Sequence, residues 1–194
     1  MGWSQRPNGS HNVIEIDFAE TKDLNDPAQV AALRTEMANE RKKSACSADL
    51  TVRGKILNVQ GVITDDDLFI YTIYTMLVTD VLRGGPQIQI QTGDTIEFTA
   101  PGGTASVDDK KVTFDISLAP LVVNDQYVVH LKRDNEADDY FVSSYLDIYL
   151  LDGADKVTRM DAHMWPFCAN HARVTRATSD FAALKNEIQT TICK

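Results

Sequence analysis

Cys168 and His171 stand close together near the end of the chain, with Asp161 and Asn170 nearby in sequence. A thiol, a base and an orienting polar group are the parts of a cysteine nucleophile. His163, a few residues upstream, adds a third nitrogen or sulfur donor and raises the question of zinc. Neither set is complete. Structural zinc takes a full tetrahedral set of ligands in closely spaced pairs, and His163, Cys168 and His171 fall short of it. The chain also lacks a nucleophile elbow, a phosphate-cradling glycine loop and a zinc-protease helix motif. No enzyme activity and no cofactor is expected.

The acidic runs Asp65-Asp66-Asp67, Asp108-Asp109 and Asp138-Asp139 fall between predicted strands. Calcium needs about six to eight converging oxygens, and the spacing of its best-known loop is absent, so these acids are read as solvated loop residues. Phe69, Tyr71 and Tyr74 would suit base stacking. The chain, however, carries 28 acids against 19 bases, a net charge of −9, which repels phosphate backbones and anionic lipid. Arg41-Lys42-Lys43 is the one compact basic run and is too short to reverse this. The rings are therefore assigned to core and strand pairing, and no nucleic acid partner is expected.

Strands dominate the chain that must position these residues. Leu50, Val52, Gly54 and Ile56 alternate with Thr51, Arg53, Lys55 and Leu57, the period of a strand with one buried face. A longer alternation from Leu68 to Leu82 is rich in β-branched and aromatic residues. Gly61 and the acids at 65–67 mark a turn between them, which predicts a long hairpin. Further strands are predicted at Thr95–Ala100, Val112–Ile116 and Gln126–Leu131, with at least one more in Tyr140–Leu151. Gln87–Gln91 reads as a short strand or an extended linker, Pro101–Ser106 as a flexible loop, and Lys132–Asp139 as a charged hairpin loop.

Two helices complete the pattern. Asp26-Pro27, with Gln29 following, predicts a capped surface helix over 27–42 with Val30, Leu33 and Met37 as its thin apolar stripe. Ser179 is read as the cap of a C-terminal helix whose stripe is Phe181, Leu184 and Ile188. A composition of 43% hydrophobic and 24% charged residues suits one globular domain. The fold class is mainly β, a closed antiparallel barrel with an N-terminal and a C-terminal helix. No apolar run is long enough to span a membrane, and no signal-peptide core is visible. Asn8-Gly9-Ser10 is an N-glycosylation sequon.

The cysteines, Cys46, Cys168 and Cys193, are three, an odd number. Three reduced thiols are one reading. Cys46 at the head of the first strand and Cys193 next to the last residue also suit a bridge closing the domain end to end.

Cys46-Ser47-Ala48-Asp49-Leu50-Thr51-Val52-Arg53-Gly54-Lys55 resembles the opening of a netrin-like domain, closest to the N-terminal domain of the tissue inhibitors of metalloproteinases. Tyr74 to Gly84 resembles that family's second strand, and Ile96-Glu97-Phe98-Thr99-Ala100-Pro101 its third strand and following loop. Cys168 and Cys193 are similar in spacing to its last two domain cysteines. The likeness covers roughly residues 46–194, with an insertion around 145–165, and leaves 1–45 as an extension. It implies an oligonucleotide/oligosaccharide-type five-stranded barrel and a Cys46–Cys193 disulfide.

The sequence also departs from the family. The inhibitors chelate the target's zinc through an N-terminal Cys-x-Cys, and no cysteine precedes Cys46. Cys168 then has no evident partner and is free, buried or shared between chains. The resemblance implies a secreted protein-binding module. Its partner would be a protein, either a metalloproteinase or a matrix component. The binding rim would comprise Cys46, Ser47, Ala48, Asp65, Asp66, Asp67, Ala100, Pro101, Gly102 and Gly103. The alternative is a matrix or adaptor protein with the same fold and no protease target. A small cytoplasmic barrel with reduced cysteines is the third class.

Overall fold

A computed structural model describes residues 26–64, 69–114, 121–134, 139–142, 148–159 and 179–193. The chain opens with helix α1, Pro27–Ser47, followed by the long strands β1, Leu50–Ile63, and β2, Ile70–Gly84. Next come β3, Thr95–Pro101, β4, Gly103–Val107, and β5, Lys110–Phe114. After these run β6, Gln126–Asp134, β7, Asp139–Phe141, β8, Ile148–Leu151, β9, Lys156–Arg159, and β10, Ser179–Asp180. Helix α2, Phe181–Thr190, closes the order.

The predicted alternation holds over Val52–Leu57: Val52, Gly54 and Ile56 are buried with Leu50, and Leu57 on the other face is exposed, but Thr51, expected on the wetter face, is buried as well. β1 pairs with β2 from Leu50↔Gly84 to Ile63↔Ile70, with register shifts after Thr51, Arg53 and Ile56. Such bulges bend and twist a strand. The first half of β1, Leu50–Lys55, pairs on its other edge with Leu131–Gln126 of β6. β2 pairs with β3, β3 runs parallel to β7, and β7 pairs with β6. The ring β1-β2-β3-β7-β6 therefore closes on itself as a five-stranded barrel with one parallel seam, Phe98↔Tyr140 and Thr99↔Phe141. This is the strand order of the oligonucleotide/oligosaccharide-type barrel. β8, β9 and β10 extend the sheet from the outer edge of β6.

The barrel interior is filled by Leu50, Val52, Ile56, Met76, Val129, Leu131 and their neighbours around a stacked Tyr74–Phe98 pair with ring centroids 5.4 Å apart. The Tyr74 hydroxyl accepts from Leu121 N at 3.4 Å, and the Tyr127 hydroxyl accepts from Val122 N at 2.9 Å. These bonds pin the loop before β6 and satisfy two phenols inside an apolar core. Burial raises the pKa of both. A second core, outside the barrel, holds α2: Phe181, Leu184 and Ile188 pack with Leu82, Val128, Tyr149, Leu151 and Val157. The predicted stripe of α2 is thus the buried one.

Several expectations are corrected. The C-terminal helix is capped by Asp180, whose Oδ1 accepts from Ala183 N at 2.7 Å, while Ser179 lies in β10. α1 keeps its predicted Asp26 cap, Oδ1 accepting from Ala28 N at 2.8 Å, but runs past Lys42 to Ser47. Its last turns lack a breaker, so Cys46 closes a helix rather than heading a strand. The side chains of Val30, Leu33 and Met37 lie outside the described residues. Of the two readings for Gln87–Gln91, the strand is absent and the linker stands. β6 continues through Lys132–Asp134, where a charged loop was expected, because its end pairs with β7. Pro101–Ser106 is not a flexible loop but a sharp turn into β4.

Candidate protein-binding rim

The turn into β4 is rigid for reasons found in three residues. Gly102 and Gly103 have φ of 83° and 120°, values that side-chain-bearing residues rarely adopt. Gly102 N donates to Ile70 O at 2.8 Å, and the buried Thr72 hydroxyl donates to Gly102 O at 2.7 Å. A Cβ on Gly103 would collide with that same Thr72 hydroxyl. The result places Ala100, Pro101, Gly102 and Gly103 against the start of β2, in register Thr72↔Ala100 and Tyr71↔Pro101, but Ala100 and Gly102 are buried and only Pro101 of the four is exposed.

Gly61 was expected to mark a turn. It lies instead within β1, paired with Thr72, where a Cβ would meet the Thr104 carbonyl of β4. Absence of a side chain lets the β4–β5 hairpin cross β1 at backbone distance. The hairpin turns through Asp108 and Asp109, with φ of 47° and 62°, the left-handed pair of a two-residue turn. Thr104 and Thr113 share a hydroxyl hydrogen bond of 2.9 Å across it.

Register puts Ala105, Val107, Val112 and Phe114 on one face of this hairpin. Ala105 is buried beneath it, whereas Val107 and Val112 remain exposed. Phe69, at the start of β2, meets Phe114 edge-on at 5.7 Å and is still 45% exposed. Tyr74 is core, as expected, but Phe69 is not. An apolar strip Phe69–Phe114–Val112–Val107 thus runs along this end, with Lys110 beside Val107 on the same face. A rim of exposed rings and branched side chains on a fixed backbone is suited to a protein partner. Asp65, Asp66 and Asp67 lie outside the described residues; Thr64 N, before them, donates to Phe69 O at 2.9 Å.

Cys46, Ser47 and Ala48 are not part of it. They adjoin Leu50↔Gly84, the opposite end of the β1–β2 ladder from Ile63↔Ile70. The expected single rim therefore divides in two. The reason is the length of the hairpin, which separates its root from its tip by the whole of β1.

The root carries a different arrangement. Cys46 and Cys193 form a disulfide joining the last turn of α1 to the chain after α2, with Cα atoms 5.3 Å apart. Beneath it, Arg83, Thr51 and His130 lie in one cross-strand row. His130 is buried, shares a 2.8 Å hydrogen bond between its Nδ1 and the Thr51 hydroxyl, and packs edge-on against Tyr149 at 5.7 Å. Its Nε2 has no partner among the described residues. Burial, with the Arg83 charge adding to it, lowers its pKa from 6.5 to about 4. Lower along the same face, Arg53 donates to Gln126 Oε1 at 2.8 Å and to Asp155 at 2.5 Å, and its guanidinium lies 4.3 Å over the Phe181 ring.

His163, Cys168, His171, Asp161 and Asn170 all lie outside the described residues. Among the described residues no group of three or more His, Cys, Asp or Glu is placed to hold a metal. Among them, too, no helix is long and apolar enough to cross a membrane. The sequence matches no protein-family model, and no curated protein matches it.

Proposed function

We propose that this chain is a netrin-like, inhibitor-like module that binds a partner protein through the rim formed by Phe69, Pro101 and the β4–β5 hairpin. The observation that carries the reading is a combination. The barrel order β1-β2-β3-β7-β6 occurs together with a Cys46–Cys193 bridge, the pairing that the opening Cys46-Ser47-Ala48-Asp49 motif implies. The bridge is compatible with an oxidising compartment, which supports a secreted protein. A metalloproteinase is the partner class to test first. Binding would proceed without zinc chelation by Cys46, whose sulfur is in the bridge and whose nitrogen is a peptide amide within α1.

The test is a panel of active metalloproteinases titrated with the purified protein, with a matrix extract as the second arm. Stoichiometric inhibition supports the inhibitor reading. Retention on matrix without inhibition supports the adaptor reading instead. In whichever arm binds, Phe69→Ala and Val112→Asp should each weaken affinity at least about tenfold, the behaviour of anchors at the centre of an interface. An unchanged affinity in both variants would remove the rim from the proposal.

A further inference from the structure

Arg83 projects from β2 between the end of α1 and the chain after α2. Its Nη1 donates to the Ala45 carbonyl oxygen at 3.5 Å, and its Nη2 stands 2.9 Å from Cys193 Sγ. Among the described residues no hydrogen bond reaches the Cys46 sulfur, while the Arg83 guanidinium reaches its bridge partner. The two sulfurs of one disulfide are therefore unequal. A guanidinium stabilises a thiolate, and in thiol–disulfide exchange the sulfur whose thiolate is better stabilised departs more readily. Both cysteines are half-buried, so the bridge lies at the surface rather than in either core.

We infer that Cys46 is a site of S-thiolation, attacked by a low-molecular-weight thiol while Cys193 leaves as a thiolate held by Arg83. The thiolate of the small molecule forms a new S–S bond to Cys46 Sγ. The Cys46–Cys193 bond breaks, and its electron pair stays on Cys193 Sγ. No net oxidation or reduction occurs, because one disulfide replaces another. Attack runs along the S–S axis, so the nucleophile approaches Cys46 from the side away from Arg83. Among the described residues, the Thr191 carbonyl oxygen, 3.9 Å from the sulfur, opposes the charge on Cys193. A carbonyl dipole at that distance is weaker than a full cation at 2.9 Å. His130, neutral in its buried site, adds no competing charge.

The consequence is directional. Thiolation at Cys46 uncouples α1 from the C-terminal segment, while Cys193 remains beside Arg83, ready to close the bridge again by expelling the small thiol.

The experiment uses the full chain carrying Cys168→Ser, so that one pair accounts for all the sulfur chemistry. The oxidised protein is exposed briefly to reduced glutathione, trapped with iodoacetamide, quenched in acid and mapped by mass spectrometry. Glutathione on Cys46 with the alkyl group on Cys193 should exceed the reverse pattern by about tenfold. Arg83→Gln should bring the ratio close to one, and Arg83→Lys should keep the bias. Equal labelling in the protein with Arg83 intact overturns the inference. So does glutathione chiefly on Cys193, or no adduct where the urea-unfolded protein is thiolated. Should Arg83→Gln fail to fold, the ratio with Arg83 present decides alone.

Discussion

Burying a histidine with no partner among the described residues for one ring nitrogen makes His130 a proton-sensitive point. Its folded-state pKa lies near 4 against 6.5 unfolded, so between those values the unfolded chain binds a proton that the native chain refuses. Stability from this group is therefore complete above about pH 6.5 and is lost as pH falls towards 4, by roughly 3 kcal/mol. Urea titrations across that range should show the decline, and His130→Asn should remove this part of it; equal slopes in the two proteins would refute the account. Arg53 is the other residue whose neighbourhood decides more than its type suggests. It ties β1 to β6, to the β8–β9 turn and to the Phe181 ring, with its own side chain only 17% exposed. Arg53→Ala should cost about 2 kcal/mol, chiefly through the ring contact and lost packing, since its partner Asp155 is half exposed. Thermal melts measure this, and Arg53→Lys should recover only part, lacking the planar fork. Neither role was legible in the sequence. Alternation placed Arg53 on the outward face of β1 and His130 inside a strand, but what covers them comes from other elements, Gln126, Asp155 and Phe181 over Arg53 and Thr51 and Tyr149 beside His130.

At the scale of elements, the β4–β5 hairpin rests on absent side chains. Gly61→Ala sets a methyl group against the Thr104 carbonyl of a fixed backbone, so the hairpin must shift. A loss of 2 kcal/mol or more, on the order of overpacking costs, is expected in denaturant melts. Asp109→Gly should act the other way, gaining about 1 kcal/mol by relieving a left-handed aspartate at φ 62°. The β1–β2 hairpin and α2 were legible, because each carries a clean period of two or of 3.6 over many residues. β4 was not. Its Pro101-Gly102-Gly103 start has the composition of a loop, and only the contact with Thr72 and Gly61 turns those glycines into a rigid corner. β7 was read only as part of a longer stretch, Tyr140–Leu151, expected to hold at least one strand: with three residues, Asp139–Phe141, it has no period of its own to read, yet it is the strand that closes the barrel.

The whole molecule is held at its margins by one covalent tie spanning 147 positions. Closing a loop of that size restricts the unfolded chain by about 5 kcal/mol in the entropy model. Cys46→Ser with Cys193→Ser should lower stability by up to that amount while leaving the barrel's strand content, seen by circular dichroism, unchanged at low temperature. The bridge and barrel class were foreseen from a short motif and strand spacing. The division of the expected binding residues between two ends was not, because spacing along a chain does not say that a hairpin's root and tip are far apart. The closure of β1 by β6 has a further consequence during synthesis. β2 follows β1 directly, but the residues that cover the second edge of Leu50–Lys55 arrive only with Gln126–Leu131. At the usual pace of a ribosome, that edge stays bare for roughly 4–16 s after it is made. A nascent chain of this protein therefore carries an open strand flanked by apolar side chains, a surface that chaperones recognise and that neighbouring nascent chains can pair with.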